Sequence, residues 1–462
     1  MIEPESKNKL DELKEKKVSK LIPQYAIPSI IGTTVFSLYI IIIQIFIAYG
    51  EGLGVHAVGG VGICLPIITL IFAISLLTGI GAASHISICL GKDDKETACD
   101  LLGNAVTLSV ILSLVFTLLF FLFFEPILRL IGTTEENYPY VKDFLSIFIP
   151  GAVVIIVSVS LNFIMRASGY PKKSMFLIVL GLVLSIITIP LFLFVFKSGI
   201  KGAAIAVILC QLIAFIPTLG HFFMINKTLS FRFQSFKLKL PILKLISKIG
   251  FSPFLVNALI AIVAFIVNNR LMTYGGANAI NAYTISNTLV TFIVMILLGL
   301  TQGVQPIIGY NHGAKKTERL LDTLKITGCI GVAIGITGLL VTNLFSHLFA
   351  TLFSPDNQLV VIETSRCLRI ISIGLPLAGF QMTVSSFFQS IGSAGKAFML
   401  SFTRQLIFLI PALFVFPFFW QTQGVWYALP FSDILSALFA AIILFFQLKE
   451  LKIKNKKIEN IQ

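Results

Sequence analysis

Long apolar runs recur along the chain and are separated by short polar segments. A helix needs about 20 mostly apolar residues to cross a bilayer. Twelve runs of sufficient length are present, at 21–48, 58–80, 101–124, 144–165, 174–196, 202–225, 249–271, 283–308, 326–349, 367–390, 397–420 and 425–448. The pattern predicts an all-α polytopic membrane protein with twelve transmembrane helices.

The distribution of basic residues predicts the orientation of these spans. An even number of spans places both termini on one side, and 27 of the 35 Lys and Arg residues fall on that side. Seven fall on the opposite side, and Arg404 lies within a span. Because Lys and Arg accumulate in cytoplasmic loops, we expect cytosolic termini. The net charge of +14 then reflects topology, and no nucleic-acid partner is expected.

The two halves of the sequence share landmarks in register. Gly169 and Gly392, Lys173 and Lys396, Pro190 and Pro411, and Gly202 and Gly424 form pairs that are 221–223 residues apart. Each half contains six spans, so both halves cross the membrane in the same direction. The sequence therefore predicts two parallel six-helix repeats related by an axis along the membrane normal.

These features divide the chain into five parts. We predict a cytosolic N-terminal tail (1–20), an N-lobe with spans one to six (21–225), a basic cytosolic linker (226–248), a C-lobe with spans seven to twelve (249–448) and a cytosolic C-terminal tail (449–462). The linker has the composition of a basic amphipathic segment that lies on the membrane surface. Two lobes joined in this way suit alternating access around a central cleft.

Prolines inside the spans are candidates for hinges. Pro28, Pro190, Pro253 and Pro411 each remove a backbone hydrogen bond that neighbouring groups must replace. The alternative is a fixed kink that only shapes packing.

The sequence shows no sign of catalytic chemistry. The six Cys residues have no metal-ligand spacing, and we see no nucleophile–base pair or phosphate-binding loop. We therefore expect no enzyme activity, no bound metal and no cofactor.

Several motifs resemble those of one transporter family. GLTQGVQPIIGYNHGAKKTER (299–319), SSFFQSIGSAGKA (385–397) and GVWYALPFSD (424–433) resemble motifs of the multidrug and toxic-compound extrusion (MATE) transporters, and the MepA-like bacterial branch in particular. The resemblance implies a V-shaped bilobate fold in the bacterial cytoplasmic membrane. It also implies a monomer that exports small amphipathic organic substrates in exchange for Na⁺ or H⁺.

The chain departs from that family at two positions in the N-lobe. Proteins that resemble this branch carry an Asp in the first span and another in the fifth, where this sequence has Ile43 and Ile189. Isoleucine binds neither H⁺ nor Na⁺, so the usual N-lobe coupling site is expected to be absent. Tyr39, Gln44 and Ser185 are the polar residues that remain there. Gln44 is either part of the transport pathway or a partner in a hydrogen bond between helices.

Two charged residues lie deep in the C-lobe. Asp433 is about nine residues into span twelve, so about 13 Å below the outer surface. Arg404 is about seven residues into span eleven, so about 10 Å from the inner surface. Charges at such depth are costly and are usually both paired and functional. We predict that Asp433 and Arg404 form an ion pair that lines or gates the cleft. A purely structural pair is the alternative.

Neutral amides in the C-lobe complete the set of pathway candidates. These residues are Asn257, Asn287, Gln302, Gln381 and Gln389. Together with the nearby aromatic residues, they suit a loose site for bulky molecules. These aromatic residues are Phe387, Phe388, Trp426 and Tyr427. For each single amide, a hydrogen bond between helices is the simpler explanation.

Three functions remain open at this point. The first is a secondary-active exporter of amphipathic organic compounds that works by ion antiport. The second is a flippase for lipid-linked or amphipathic anionic substrates. The third is a transport-inactive scaffold or receptor, which the missing N-lobe acids would explain.

Overall fold

A computed structural model describes residues 11–48, 54–225, 228–353 and 357–459. Within these ranges, the side chains of 36–45, 47–48, 54–58, 224–225, 261 and 451–459 are not described. The described residues form helices and no strand. The helices are α1 (Val18–Ala48), α2 (Gly54–Gly91), α3 (Lys95–Leu122), α4 (Phe124–Leu130), α5 (Tyr138–Ala167), α6 (Pro171–Pro190), α7 (Gly199–Gly220), α8 (Leu240–Gly313), α9 (Thr317–Leu344), α10 (Ser346–Phe353), α11 (Gln358–Ile371), α12 (Leu375–Ser390), α13 (Ala394–Phe402) and α14 (Ile410–Glu459).

Short turns of other helix types adjoin several of these helices. The π-helical turns are Leu191–Val195, His221–Ile225 and Thr403–Leu409. The 3₁₀ turns are Phe233–Phe236 and Ser372–Gly374.

Nine helical stretches in the described part of the chain are long and apolar enough to span a membrane. Two of them contain a sharp break: α8 breaks at Gly276, where φ is +66°, and α14 breaks at Gln421, where φ is +49°. The hydroxyl of Thr422 donates to the carbonyl of Tyr274 over 3.0 Å and so joins the two breaks. Counting each broken stretch as two crossings, and adding α1, gives the twelve predicted spans.

The exposed and buried faces of the helices carry the side chains that are expected of a protein in a bilayer. Many exposed side chains are large and apolar, such as Leu118 at 69% exposure and Phe418 at 73%. Buried hydroxyls bond to carbonyls one turn back in their own helix, as Ser75 does to Ile71 over 2.9 Å. Hydrocarbon offers no hydrogen-bond partner, so these local bonds let polar side chains sit inside the spans.

The helix boundaries have local causes. Asp94 precedes α3 and accepts a hydrogen bond from the backbone N–H of Thr97 over 3.0 Å, which caps the helix. At its other end, α8 stops at Gly313, the glycine of the GYNHGAKK motif. The start of α8 at Leu240 lies within the predicted linker, so the second half of that segment is helical.

The chain forms two compact units. One consists mainly of Ile31–Ala258, and the other consists of Lys17–Ile30 together with Leu259–Gln462. The first turns of α1 therefore belong to the second unit, and the first turns of α8 belong to the first unit. The first helix of each repeat is thus shared between the two units.

A buried asparagine holds the linker in the first unit. The Asn104 side chain, on α3, donates to the carbonyls of Ser235 (3.0 Å) and Lys237 (3.2 Å) and accepts from the backbone N–H of Lys239 over 2.8 Å. Beside it, the Lys239 ammonium lies 2.5 Å from the Asp100 carboxylate. A Cβ added at Gly103 would lie 2.3 Å from the Ser235 carbonyl oxygen, so only glycine allows this approach.

We predict that Asn104→Ala frees the linker. The change removes three long-range hydrogen bonds, each worth about 1 kcal/mol, and leaves buried carbonyls without their donor. Limited trypsin digestion of the purified protein should cut the 232–244 region at least severalfold faster than in the wild type. Ser113→Ala is the matched control, because Ser113 is buried in the same helix and its hydroxyl bonds only to Val110. Equal digestion rates in both variants would contradict this role for Asn104.

Candidate functional site

Arg404 and Asp433 form an ion pair in the second unit, as predicted. The Arg404 Nε donates to Asp433 Oδ1 over 2.9 Å, and Nη2 lies 2.8 Å from the same oxygen. The Arg404 side chain is 29% exposed and the Asp433 side chain is 12% exposed. At this degree of burial, each charge depends on the other for compensation. That the pair lines a transport cleft remains a prediction.

Gly374 leaves space for the carboxylate of Asp433. A Cβ added at Gly374 would lie 2.3 Å from Asp433 Oδ2. Gly374 ends the 3₁₀ turn between α11 and α12, so the absence of a side chain there makes room for the carboxylate. Three segments thus meet at the ion pair: the turn before α12, the turn that carries Arg404, and α14.

The turn that carries Arg404 has a widened helical geometry. Arg404 lies in the π-helical turn Thr403–Leu409, directly before α14. Pro411 has no N–H to bond the carbonyl of residue 407, and a helix relaxes around such a gap. Turns of this type often occur at functional sites, which makes Arg404 the strongest candidate among the sequence-predicted residues.

The structure places the C-lobe amides in different environments. Gln302 and Gln381 are buried, and the Gln381 amide lies 3.5 Å from the carbonyl of Leu400. Asn257 donates to the Pro253 carbonyl over 2.9 Å. Asn287 is exposed and Gln389 is half-buried. The described contacts do not unite these five residues in one site, and their roles in transport remain predictions.

In the first unit, the fifth-span position where the family resemblance implies an acid, Ile189 in this chain, is packed with apolar groups. Ile189 is fully buried in a cluster that includes Ile149, Leu193 and Val207. The hydroxyl of Ser185, also fully buried, bonds to the Leu182 carbonyl of its own helix over 2.7 Å. Tyr39, Ile43 and Gln44 lie on α1, and their side chains are outside the described part of the structure.

The four predicted hinge prolines all lie near irregularities or unit boundaries. Pro190 directly precedes the π turn Leu191–Val195, and Pro411 comes two residues after the π turn that carries Arg404. Pro28 and Pro253 lie in α1 and α8, a few residues before the points where each helix passes from one unit to the other. Their action as hinges remains a prediction.

Glu363 is a candidate that the sequence pattern alone does not reveal. Its Oε2 atom is buried and has no hydrogen-bond partner among the described residues, and the hydroxyl of Thr364 beside it is also unpartnered. The predicted span began only at residue 367, whereas α11 begins at Gln358 and brings Glu363 into the packed helix. One sequence feature does point to Glu363: it is four residues before Cys367, which is buried. This spacing puts both residues on one face of the helix.

Three of the four aromatic residues proposed to line a loose site are packed inside the protein, and the fourth, Tyr427, is half-buried. Phe387, Phe388 and Trp426 are each at most 2% exposed. Trp426 belongs to an apolar cluster with Leu271, Leu413 and other residues of the second unit. Its role in this structure is packing, although its indole N–H has no hydrogen-bond partner in the described part of the chain.

Comparisons with known proteins match most of the length of this chain. The MatE family model matches residues 28–191 and again 253–415, one match in each predicted repeat. The multidrug export protein MepA of Staphylococcus haemolyticus is 27% identical over 93% of this chain and 94% of its own length. MepA of Staphylococcus aureus is 26% identical with the same coverage of both chains.

Solved structures of transporters have a similar fold. A MOP superfamily transporter from Pyrococcus furiosus, described as having a binding pocket of reverse polarity, is 25% identical and superposes with a TM-score of 0.89 over 96% of this chain and 98% of its own. A MATE protein in the bent conformation is 24% identical, with a TM-score of 0.90 and the same coverage.

We predict that Gly374→Ala destabilises the protein by disturbing the ion pair. The new methyl group would overlap Asp433 Oδ2, and overpacking of this kind costs about 1–3 kcal/mol. Thermal unfolding in detergent should show a lower midpoint than in the wild type. Gly395→Ala is the control, because a Cβ there meets no atom within 4 Å.

A double-mutant cycle tests whether the cost arises at Asp433. In an Asp433→Ala background the overlapping oxygen is gone, so Gly374→Ala should lower the unfolding midpoint by much less. An equal loss in both backgrounds would show that Gly374 acts elsewhere.

Proposed function

Because the chain belongs to the MATE family, we propose that it exports small amphipathic organic compounds by antiport against Na⁺ or H⁺. The observation that carries this proposal is the match of the family model to both halves of the chain. The likeness to multidrug export proteins over 93% of the chain supports the substrate class. The proposal includes a monomer in the bacterial cytoplasmic membrane with both termini cytosolic, and it involves no cofactor apart from the coupling ion.

The proposal places ion coupling in the second unit. In the first unit, Ile189 offers no ligand, its surroundings are apolar, and the nearby Ser185 hydroxyl already has a partner. A cation would therefore meet no carboxylate at this position. In the second unit, Asp433 is a buried carboxylate, and Arg404 is its cationic partner in the described part of the chain.

The mechanism proposed for Asp433 is competition. Arg404 contacts Oδ1 through two nitrogens, so a coupling cation or proton must weaken this contact when it occupies the carboxylate. A released guanidinium in a low-dielectric site seeks another partner or moves toward water. Occupancy of Asp433 is in this way linked to the arrangement of the turn Thr403–Leu409, which is the coupling that an antiporter needs.

Glu363 is a second candidate coupling group in the same unit. Its Oε2 atom is buried and has no hydrogen-bond partner among the described residues, so this oxygen is available to a coupling cation or proton. In this proposal, the neutral amides form part of a polar pathway for the substrate, and the prolines act as hinges.

We expect Asp433→Asn to abolish the dependence of transport on the driving ion gradient. Purified protein in liposomes should accelerate the flux of a fluorescent organic cation under an imposed Na⁺ or pH gradient, with each gradient tested alone. In the Asn variant the accelerated flux should fall at least tenfold. Asp322→Asn is the control, because Asp322 is an exposed carboxylate on α9.

Other outcomes of this experiment separate the remaining possibilities. Wild-type flux and ion dependence in Asp433→Asn, together with loss of both in Glu363→Gln, would move the coupling role to Glu363. Flux that appears only with a labelled anionic lipid would favour a flippase. The absence of flux for every probe under both gradients would favour a scaffold or receptor.

A further inference from the structure

The linker segment, described from residue 228 and continuing into the start of α8, exposes several large apolar side chains. Phe233 is 91% exposed, and Leu240, Leu238 and Leu245 are 63%, 49% and 41% exposed. Large apolar side chains that the protein itself does not bury indicate contact with another apolar environment. We call the exposed side chains of residues 232–248 the linker surface.

Basic residues alternate with these apolar groups. Arg232, Lys237, Lys244 and Lys248 are all exposed, and none of them pairs with an acidic residue in the described part of the chain. In contrast, Lys239 in the same segment is held by Asp100. The linker surface therefore carries four uncompensated positive charges beside its apolar side chains.

The position of the segment brings it to a membrane surface. It follows a span that ends in the turn His221–Ile225 and leads directly into the span formed by α8. On this boundary, apolar side chains can enter the acyl region while cations reach the phosphate groups above it. A protein partner would have to cover the same side chains within the headgroup layer, which makes lipid the better match.

The segment is also ordered before any lipid binds. Asn104 fixes its backbone through the carbonyls of Ser235 and Lys237, and the Thr107 hydroxyl donates to the Phe236 carbonyl over 3.2 Å. A preformed surface loses little conformational entropy on binding.

We propose that the linker surface is a binding site for anionic phospholipids, with Phe233 inserted among the acyl chains and the four cations on the headgroup phosphates. The site belongs to the first unit, because Asn104, Asp100 and Thr107 all lie on α3. Asp433 and Arg404 belong to the second unit, and the proposed lipid site does not depend on the transported substrate or on the coupling ion.

Lipid retention by the full-length protein tests the role of the cations. Protein in mixed micelles with phosphatidylglycerol and phosphatidylcholine should retain phosphatidylglycerol preferentially when analysed by native mass spectrometry. Replacing Arg232, Lys237, Lys244 and Lys248 with Gln should reduce its retention about tenfold or more. The control variant replaces Lys20, Lys92, Lys172 and Lys325, which are exposed elsewhere, and removes the same charge.

Two results would overturn the role of the cations. One is equal retention of both lipids by the wild type. The other is an equal loss of phosphatidylglycerol in both charge variants, which would show a response to net charge only.

Fluorescence of Phe233→Trp tests insertion without removing any charge. In phosphatidylglycerol vesicles, the added tryptophan should emit at shorter wavelength than in water and be quenched by lipids brominated on their acyl chains, relative to the parent protein. Glu135→Trp, at an exposed turn, should show neither effect. A water-like, unquenched emission from Phe233→Trp would overturn the proposal and leave the surface to a protein partner.

Discussion

A polar group that enters hydrocarbon must find its partner inside the protein, because the lipid offers none. This constraint explains why buried hydroxyls such as that of Ser75 bond to their own helix. It also explains the pairing of Arg404 with Asp433 and the exposure of leucine and phenylalanine around the helices. A polar side chain that departs from this arrangement is correspondingly informative, as Glu363 is.

The two repeats share an architecture but differ in chemistry. The family model matches both, and each has a π turn beside a proline in its fifth helix. In the first unit, Ile189 lies inside an apolar cluster. In the second unit, a carboxylate is held between a guanidinium and a glycine. The helices of both units pack through their apolar faces, so the two copies of a duplicated fold can differ in their charged residues.

The compact units do not divide at the polar linker. Instead, α1 and α8 each belong to both units, and the linker is bonded to α3 through Asn104. The linker is therefore a structural part of the first unit, with a defined exposed surface. This order gives its basic and apolar side chains a fixed arrangement, which a flexible tether would lack.

The sequence by itself determined the class, the twelve spans and the repeat, because apolar length, basic-residue bias and landmark spacing follow directly from the requirements of a bilayer. It also predicted the Arg404–Asp433 pair, since two opposite charges at similar depth have few alternatives. The tertiary structure alone decided that Gly374 supports the carboxylate, that Trp426 packs in the core and that Glu363 turns inward. These facts depend on which faces of the helices pack against each other. Such packing brings together residues that are tens of positions apart in the sequence, and no periodic pattern along the chain predicts it.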